Sequence, residues 1–280
     1  MWRCGAVVIA RDEGKCIRAC LESLRKQTVD LFLVVVNDGS LDDTGDVASE
    51  YADVVVTLKR HEENWTGLPQ LAGVFNVGFD VLNKKDLDYV LISGSDGIYP
   101  PTYVSSIISR MEKENIVLCS GVPKNERSSS WIPRGSGRVV NAKWFKSVGF
   151  KYPLNYGFEA YLAYKALSQG RKIAVFQDLT FESSRGTRFF RKKMYLWGKG
   201  MRALNYWWPY ALGRALIIGV RSPSNCFALM RGYLSKVDQY EDIKDFVPSF
   251  QKGTFIRRAI NFLGLRSQAG VCSRNEISIE

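Results

Sequence analysis

No run of about eighteen apolar residues free of charge occurs in the 280-residue chain, so the sequence offers no candidate membrane-spanning helix. The six cysteines, at 4, 16, 20, 119, 226 and 272, include no Cys-x-x-Cys pair. Cys16 and Cys20 stand at helical i,i+4 spacing, but no second pair joins them. That pattern argues against structural zinc and for reduced thiols in a cytoplasmic protein. Histidine is almost missing, with His61 alone. The opening "MWRCGAVVIARDEG" has an apolar run of only six residues, 5–10, short for a signal peptide and better suited to a first strand. Neither an internal repeat nor a low-complexity tract is present. Acids are scarce in the second half. Residues 121–280 hold 27 Lys+Arg against 10 Asp+Glu, whereas residues 1–120 hold 12 against 18. A basic surface attracts phosphate, whether on a diphosphate, an anionic membrane or nucleic acid.

What is present is a core-forming composition, 46% hydrophobic, sufficient for one large domain or a domain with an appendage. The first half alternates two kinds of pattern. "CGAVVIA" (4–10), "LFLVVVN" (31–37), "DVVVTL" (53–58) and "DYVLIS" (88–93) are short β-branched runs, too uniformly apolar for a half-exposed sheet. Between them, 15–27, a stretch starting near Asp42 or Asp43, 67–82 and 101–114 carry helical periodicity. This alternation predicts a doubly wound parallel sheet, whose ligands bind beyond the carboxyl ends of the strands. Three strand ends then carry acids: Ala10-Arg11-Asp12-Glu13, Asn37-Asp38-Gly39-Ser40 and Gly94-Ser95-Asp96. Asp and Gly are ordinary turn residues, and any one of these ends is explained that way. Three together point to a site. The second half predicts a basic loop leading into a short strand and helix over 128–145, a helix closed by Gly170 followed by a strand over 157–176, and three short amphipathic helices near the C-terminus.

The order of these motifs resembles family 2 glycosyltransferases of the GT-A fold. "VVIARDEGKCIRACLESLRKQT" followed by "LFLVVVNDGSLDDTGDVA" is similar to the family's N-terminal signature, and the resemblance covers roughly residues 5 to 210. It implies a Rossmann-like, mainly parallel α/β sheet flanked by helices, with a helical, basic-aromatic C-terminal extension. It also implies transfer of a sugar from a nucleotide-sugar, UDP- or GDP-linked, to a glycan or lipid-linked acceptor hydroxyl, usually with inversion and usually with Mn2+ or Mg2+. Position by position, it places Ala10, Arg11 and Glu13 against the nucleoside, with Asp12 where the family has Asn. Asp38 falls on the base-recognising acid, and Asn37 replaces the acid before it. Asn76 and Gly78 match an Asn-x-Gly in a helix beneath the diphosphate. "GSDGIYPP" aligns with the family's Asp-x-Asp segment, so that Asp96 is the implied metal ligand, Gly94 stands in for the first acid, and Ser93 or Ser95 would take over its ribose contact. One carboxylate suffices in principle, because diphosphate and water complete an octahedron.

An acceptor hydroxyl needs a general base. The resemblance assigns that role to Glu159 in "YGFEAYLAYKALSQG", the only acid between Glu126 and Asp178. An acid in a helix's first turn also favours the helix dipole, and this is the plainer reading of Glu159. The family's downstream metal-ligand His is replaced by "TFESSRGTR", offering Glu182 or Ser183, and Arg185, Arg188, Arg191 and Lys192 follow as candidates to clamp the diphosphate. The expected organisation is a catalytic domain over 1–184, with a nucleotide-sugar half (1–120) and an acceptor half (121–184), and a helical extension over 185–280. In that extension "RGTRFFRKKMYLWGKGMRALNYWWPY" sets seven cations among its aromatics, a mixture suited to an anionic membrane surface on the cytoplasmic side or to a packed core. With no recognition module in view, nucleic acid is not expected as a partner. Competing readings are a sugar nucleotidyltransferase, which should show a glycine-rich basic loop where "IARDEGK" stands, a decayed nucleotide-sugar binder, favoured by Gly94, and a basic membrane or nucleic-acid binding protein.

Overall fold

The computed structural model describes residues 2–62, 67–124, 126, 128–184 and 190–262, with side chains to residue 255. Eight strands form a sheet in the order β3-β2-β1-β4-β7-β6-β8-β5. They are β1 (Cys4–Ala10), β2 (Leu31–Asn37), β3 (Val54–Thr57), β4 (Tyr89–Gly94), β5 (Gly97–Ile98), β6 (Ile116–Pro123), β7 (Arg138–Asn141) and β8 (Lys172–Ser183). The helices of this part are α1 (Gly14–Arg25), α2 (Thr44–Tyr51), α3 (Pro69–Leu82), α4 (Tyr103–Glu114), α5 (Ala142–Ser147) and α6 (Phe158–Ser168). Further along run α7 (Arg191–Ala203), α8 (Trp208–Gly219), α9 (Pro223–Tyr233) and α10 (Phe246–Phe262).

Side-chain alternation along the strands divides the core in two. Ala6, Val8 and Ala10 of β1 and Leu31, Leu33 and Val35 of β2 face a cluster completed by Ile17, Leu21 and Leu24 of α1 and Ile107, Ile108 and Met111 of α4. Val7, Val34 and Val36 face the other cluster, where Phe75 and Phe79 of α3 meet Phe145, Phe150, Tyr152 and Phe158. Edge-on ring contacts lock this second cluster, with Phe79 5.1 Å from Phe145 and 5.3 Å from Tyr152. Phe158 opens α6, so the aromatic cluster also fixes where Glu159 begins its helix.

The strands foreseen in the first half form, with β1 parallel to both β2 and β4 and β2 parallel to β3. The sheet is mixed beyond that point, because β7 runs antiparallel between β4 and β6. Strand β6, "IVLCSGVP", has no counterpart in the sequence reading; it is a fully buried run that pairs in parallel with β8. Contacts divide the chain into two compact units, residues 1–154 with 158–188, and residues 155–157 with 189–280. In the second unit α7 packs closely on α9: a Cβ on Gly198 would stand 2.0 Å from the Leu229 carbonyl, and one on Gly232 equally close to that of Tyr195. Only glycine permits such an approach.

Candidate active site

Register fixes the first part of the site. Ala10 pairs with Asn37, and Ile9 pairs with Gly94, so the ends of β2, β1 and β4 stand side by side on one edge of the sheet. The Asp38 N–H donates to the Ala10 carbonyl at 2.8 Å, which ties two of these ends together. Asn37, buried, accepts from the Ser40 N–H through its side-chain Oδ1 (3.1 Å), so it shapes the turn that carries Asp38.

Around Asp38 lies a small charged cluster. Arg11 Nη1 is 3.5 Å from Asp38 Oδ2, and both side chains are nearly covered, at 8% and 6% exposure. His61, arriving from the segment after β3, sets Nε2 3.0 Å from Asp38 Oδ1 and Nδ1 3.3 Å from Arg11 Nη1. Arg11 also donates to the His61 carbonyl. The His61–Asp38 contact lacks hydrogen-bond alignment. Asp38 Oδ1 and Arg11 Nε therefore remain buried without a hydrogen-bond partner, a costly state that a bound polar ligand would relieve. The walls are held from behind. Arg60 chelates Asp12 through two bonds of 3.0 and 2.8 Å and donates to the Gly39 carbonyl. Asp12 adopts φ +55° and Gly39 φ +65°. A side chain at Gly39 would fall 2.5 Å from the Arg60 backbone, so this turn requires glycine. The pair with Arg60 lowers the Asp12 carboxyl to about 2. Glu13 begins α1, its N–H on Thr44 Oγ1 at 2.7 Å and its carbonyl accepting from the Cys16 and Ile17 amides.

The second part surrounds Asp96, at the tip between β4 and β5. Ser183 Oγ donates to Asp96 Oδ2 at 2.9 Å, and the Ser184 N–H reaches the Asp96 carbonyl at 3.1 Å. Beneath the tip a hydroxyl network holds the backbone: Ser93 Oγ meets Tyr99 OH at 2.7 Å, and Ser136 Oγ lies 3.2 Å from both Tyr99 OH and the Gly94 N–H. Burial pushes the Tyr99 phenol well above its ordinary range and the neighbouring Cys20 thiol up to about 12, so both remain neutral supports. Ser95 is buried in the same turn. Glu182 of β8, next to Ser183, pairs with Lys124 at 3.0 Å.

Segment 133–137 links Asp96 to Glu159. Ser136 touches Gly94, while a Cβ on Gly135 would stand 2.0 Å from Glu159 Oε1. The carboxylate thus rests on the bare backbone of Gly135. Arg138, 1% exposed, holds this segment and α6 together. It donates to the carbonyls of Arg134 (2.8 Å), Pro133 (2.6 Å) and Glu159 (2.9 Å) and to Tyr152 OH (3.2 Å). Sequence reasoning missed Arg138, Ser136 and the placement of His61. Only "RGSGR", with two glycines between two arginines, hinted that this loop is built around its own backbone.

Two of the expected residues have other work. The Asn76 amide is spent on the Tyr152 backbone, donating to its carbonyl at 2.8 Å and accepting from its N–H at 2.7 Å. Gly78 is a packing glycine, since a Cβ there would lie 2.4 Å from Val7 Cγ2 and 3.0 Å from Val36 Cγ2. In this structure, then, Asn76 ties α3 to the Tyr152 backbone and Gly78 packs α3 on the sheet. Arg185 and Arg188 lie outside the described residues. Among the described residues no three His, Cys, Asp or Glu side chains gather for a metal. The donors that do meet, the Asp96 carboxylate and the Ser183 hydroxyl, are oxygens of the kind a hard cation such as Mg2+ or Mn2+ takes alongside substrate phosphates.

Residues 6–195 match the sequence family Glycosyl transferase family 2. The chain belongs to that family. Its mixed sheet with flanking helices is the GT-A fold. It is 35% identical over 107 residues to EpsH of Bacillus subtilis, a protein that carries a glycosyltransferase name, across 37% of this chain and 29% of EpsH. Among solved structures it resembles the mannosyltransferase PcManGT of Pyrobaculum calidifontis, in complex with GDP-Man and Mn2+, at TM-score 0.58 and 14% identity, covering 83% of this chain and 73% of that one. It also resembles S. aureus TarS 1-349 with UDP, at TM-score 0.55 and 18% identity, covering 81% and 75%. Glucosyl-3-phosphoglycerate synthase of Mycobacterium tuberculosis with Mn2+ and UDP-glucose follows at TM-score 0.52 and 18% identity, covering 70% and 75%. The chain thus spans under a third of EpsH, and 38% of TarS in another of its structures.

Proposed function

We propose that this glycosyltransferase moves a sugar from a UDP- or GDP-sugar to the hydroxyl of a glycan or lipid-linked acceptor, at the cytoplasmic face of a membrane, with inversion at the anomeric carbon. The catalytic domain of this reading is 1–184, with 185–280 as its extension. The observation that carries it is the buried Asp38–Arg11–His61 cluster, with Asp38 Oδ1 and Arg11 Nε lacking a hydrogen bond, on the same sheet edge as Asp96. In this reading His61 swings off Asp38 when the nucleotide binds, and the freed carboxylate accepts from an N–H of the base beside Arg11. Ala10 and Glu13 border the nucleoside, and the buried Ser95 supports the ribose side. Asp96, with Ser183 beside it, would hold a divalent cation. When bound, that cation supplies positive charge to the departing diphosphate.

Glu159 accepts the acceptor's hydroxyl proton as that oxygen bonds to the anomeric carbon. The bond from that carbon to the diphosphate oxygen breaks, and the nucleoside diphosphate leaves with the electron pair. One displacement inverts the centre, so one base is enough. Gly135 and Arg138 keep the carboxylate and its helix in register with the Asp96 tip. Glu159→Gln is expected to retain donor affinity and lose about 10²-fold or more in turnover. Single-turnover transfer with donor binding measured in parallel checks this; unchanged turnover removes Glu159 as the base. A nucleotide-sugar binder without catalysis is favoured by one feature only, Gly94 in place of an acid beside Asp96. In that case wild-type and Glu159→Gln proteins bind donor equally and neither transfers.

A further inference from the structure

Helix α8 is turned inside out for a surface helix. Trp208, Leu212, Leu216, Ile217 and Val220, the last immediately after its end, face solvent at 64%, 37%, 59%, 74% and 88% exposure. Pro209 and Gly213 fall on the same side by helical spacing, and a Cβ on Gly213 would meet nothing within 4 Å. No charged residue interrupts this side. The helix's one cation, Arg214, is on the opposite side, stacked over Trp197 and Tyr210 at 4.8 and 6.0 Å. Ala211 and Ala215 are the buried residues. Phe227, on the neighbouring α9, adds another ring at 68% exposure. An apolar face of this extent on a water-soluble surface marks a contact site.

Charge selects the occupant. Between Glu182 and Asp238 the sequence carries eleven Lys+Arg and no Asp or Glu. Arg221, next to Val220, is exposed, and so are Arg202, Arg231 and Lys236. We infer that the outward face of α8, with Phe227 and with Arg221 at its end, docks on an anionic lipid surface: apolar side chains enter the acyl boundary while Arg221 and the exposed cations of this basic unit meet the headgroups. Trp208 at the start of the helix suits the interface itself, where an aromatic ring with a polar N–H is wet at one end. No helix among the described residues is long and apolar enough to cross a membrane, so the attachment is to one surface. The inference deepens the membrane placement in the proposed function, and because its test needs neither donor nor acceptor, its failure is distinct from failure of the transfer reaction.

The full chain tests it by co-sedimentation with vesicles of phosphatidylcholine alone and of phosphatidylcholine with phosphatidylglycerol. Wild type should bind the anionic vesicles at least about tenfold more tightly, with affinity falling as salt is raised. L216E/V220E should lose about tenfold or more, and R221E a smaller part. All three side chains are exposed, so melting temperature checks that the fold is kept. L216A/V220A, which adds no charge, should fall between wild type and the Glu pair. Tryptophan emission should shift to the blue on binding, and W208F should diminish that shift. Unchanged binding by both double variants, or no preference for anionic vesicles, overturns the inference. So does a wild-type dimer that L216E/V220E dissolves without any vesicle binding, which would assign the face to a second copy of the chain.

Discussion

At the scale of single residues, two contacts decide how the site behaves. Glu159 lies against Gly135, and the atom that a new Cβ would strike is the end of a flexible side chain. Gly135→Ala should therefore leave the fold nearly intact, moving the melting temperature by no more than about 3 °C, while displacing the carboxylate. Turnover should fall by about tenfold or more with donor affinity unchanged; equal turnover would show that the position of Glu159 is not critical. Asp12 and Arg60 give a pH dependence. The folded-state carboxyl sits at about 2, below its unfolded value near 4, so the pair's contribution is complete above about pH 4. It fades as pH falls from about 4 to about 2. Both partners are more than a third exposed, so solvent screening keeps the effect small. Melting curves of wild type and Asp12→Asn should differ at neutral pH and converge toward pH 2. A gap that widens on acidification would contradict the assignment.

At the scale of elements, the site depends on α3 lying close to the sheet. Gly78→Ala inserts a methyl where Val7 and Val36 already stand and should cost about 1–3 kcal/mol by overpacking, read by chemical denaturation. A neutral or stabilising result would mean that α3 has room to move. This glycine also shows what the sequence could and could not reveal. The parallel strands β1, β2 and β4 were legible because both faces of each are buried, which writes a continuous β-branched run. Their acidic ends were legible because strand ends of such a sheet face the ligand. The packing role of Gly78 was not legible, because a glycine for packing and a glycine for ligand approach look alike in sequence. Asn76 is consumed by the Tyr152 backbone, a contact 76 residues away. β6 was missed because Ser, Gly and Pro interrupt its apolar run and it borders an irregular basic loop. His61 joins Asp38 through the strand order alone, which no local periodicity encodes. Arg138 sits at the edge of the same basic stretch, and its lack of a carboxylate partner in sequence gave no sign that backbone carbonyls would satisfy it.

At the scale of the molecule, the acidic first half and basic second half correspond to separate tasks. In the function proposed above, acids at the strand ends of the first unit serve base and cation, and the cations of the second unit serve a lipid surface. The central claim is that the sheet edge binds a nucleoside diphosphate with help from Asp96. Thermal denaturation with UDP, GDP, dTDP or CDP, each with and without Mn2+, tests it most directly, using wild type and Asp96→Ala. The account predicts that one nucleotide stabilises wild type, that Mn2+ enlarges the shift, and that Asp96→Ala keeps the nucleotide's own shift while losing the Mn2+ increment. A metal increment that survives in Asp96→Ala, or no stabilisation of wild type by any of the four nucleotides, would contradict it.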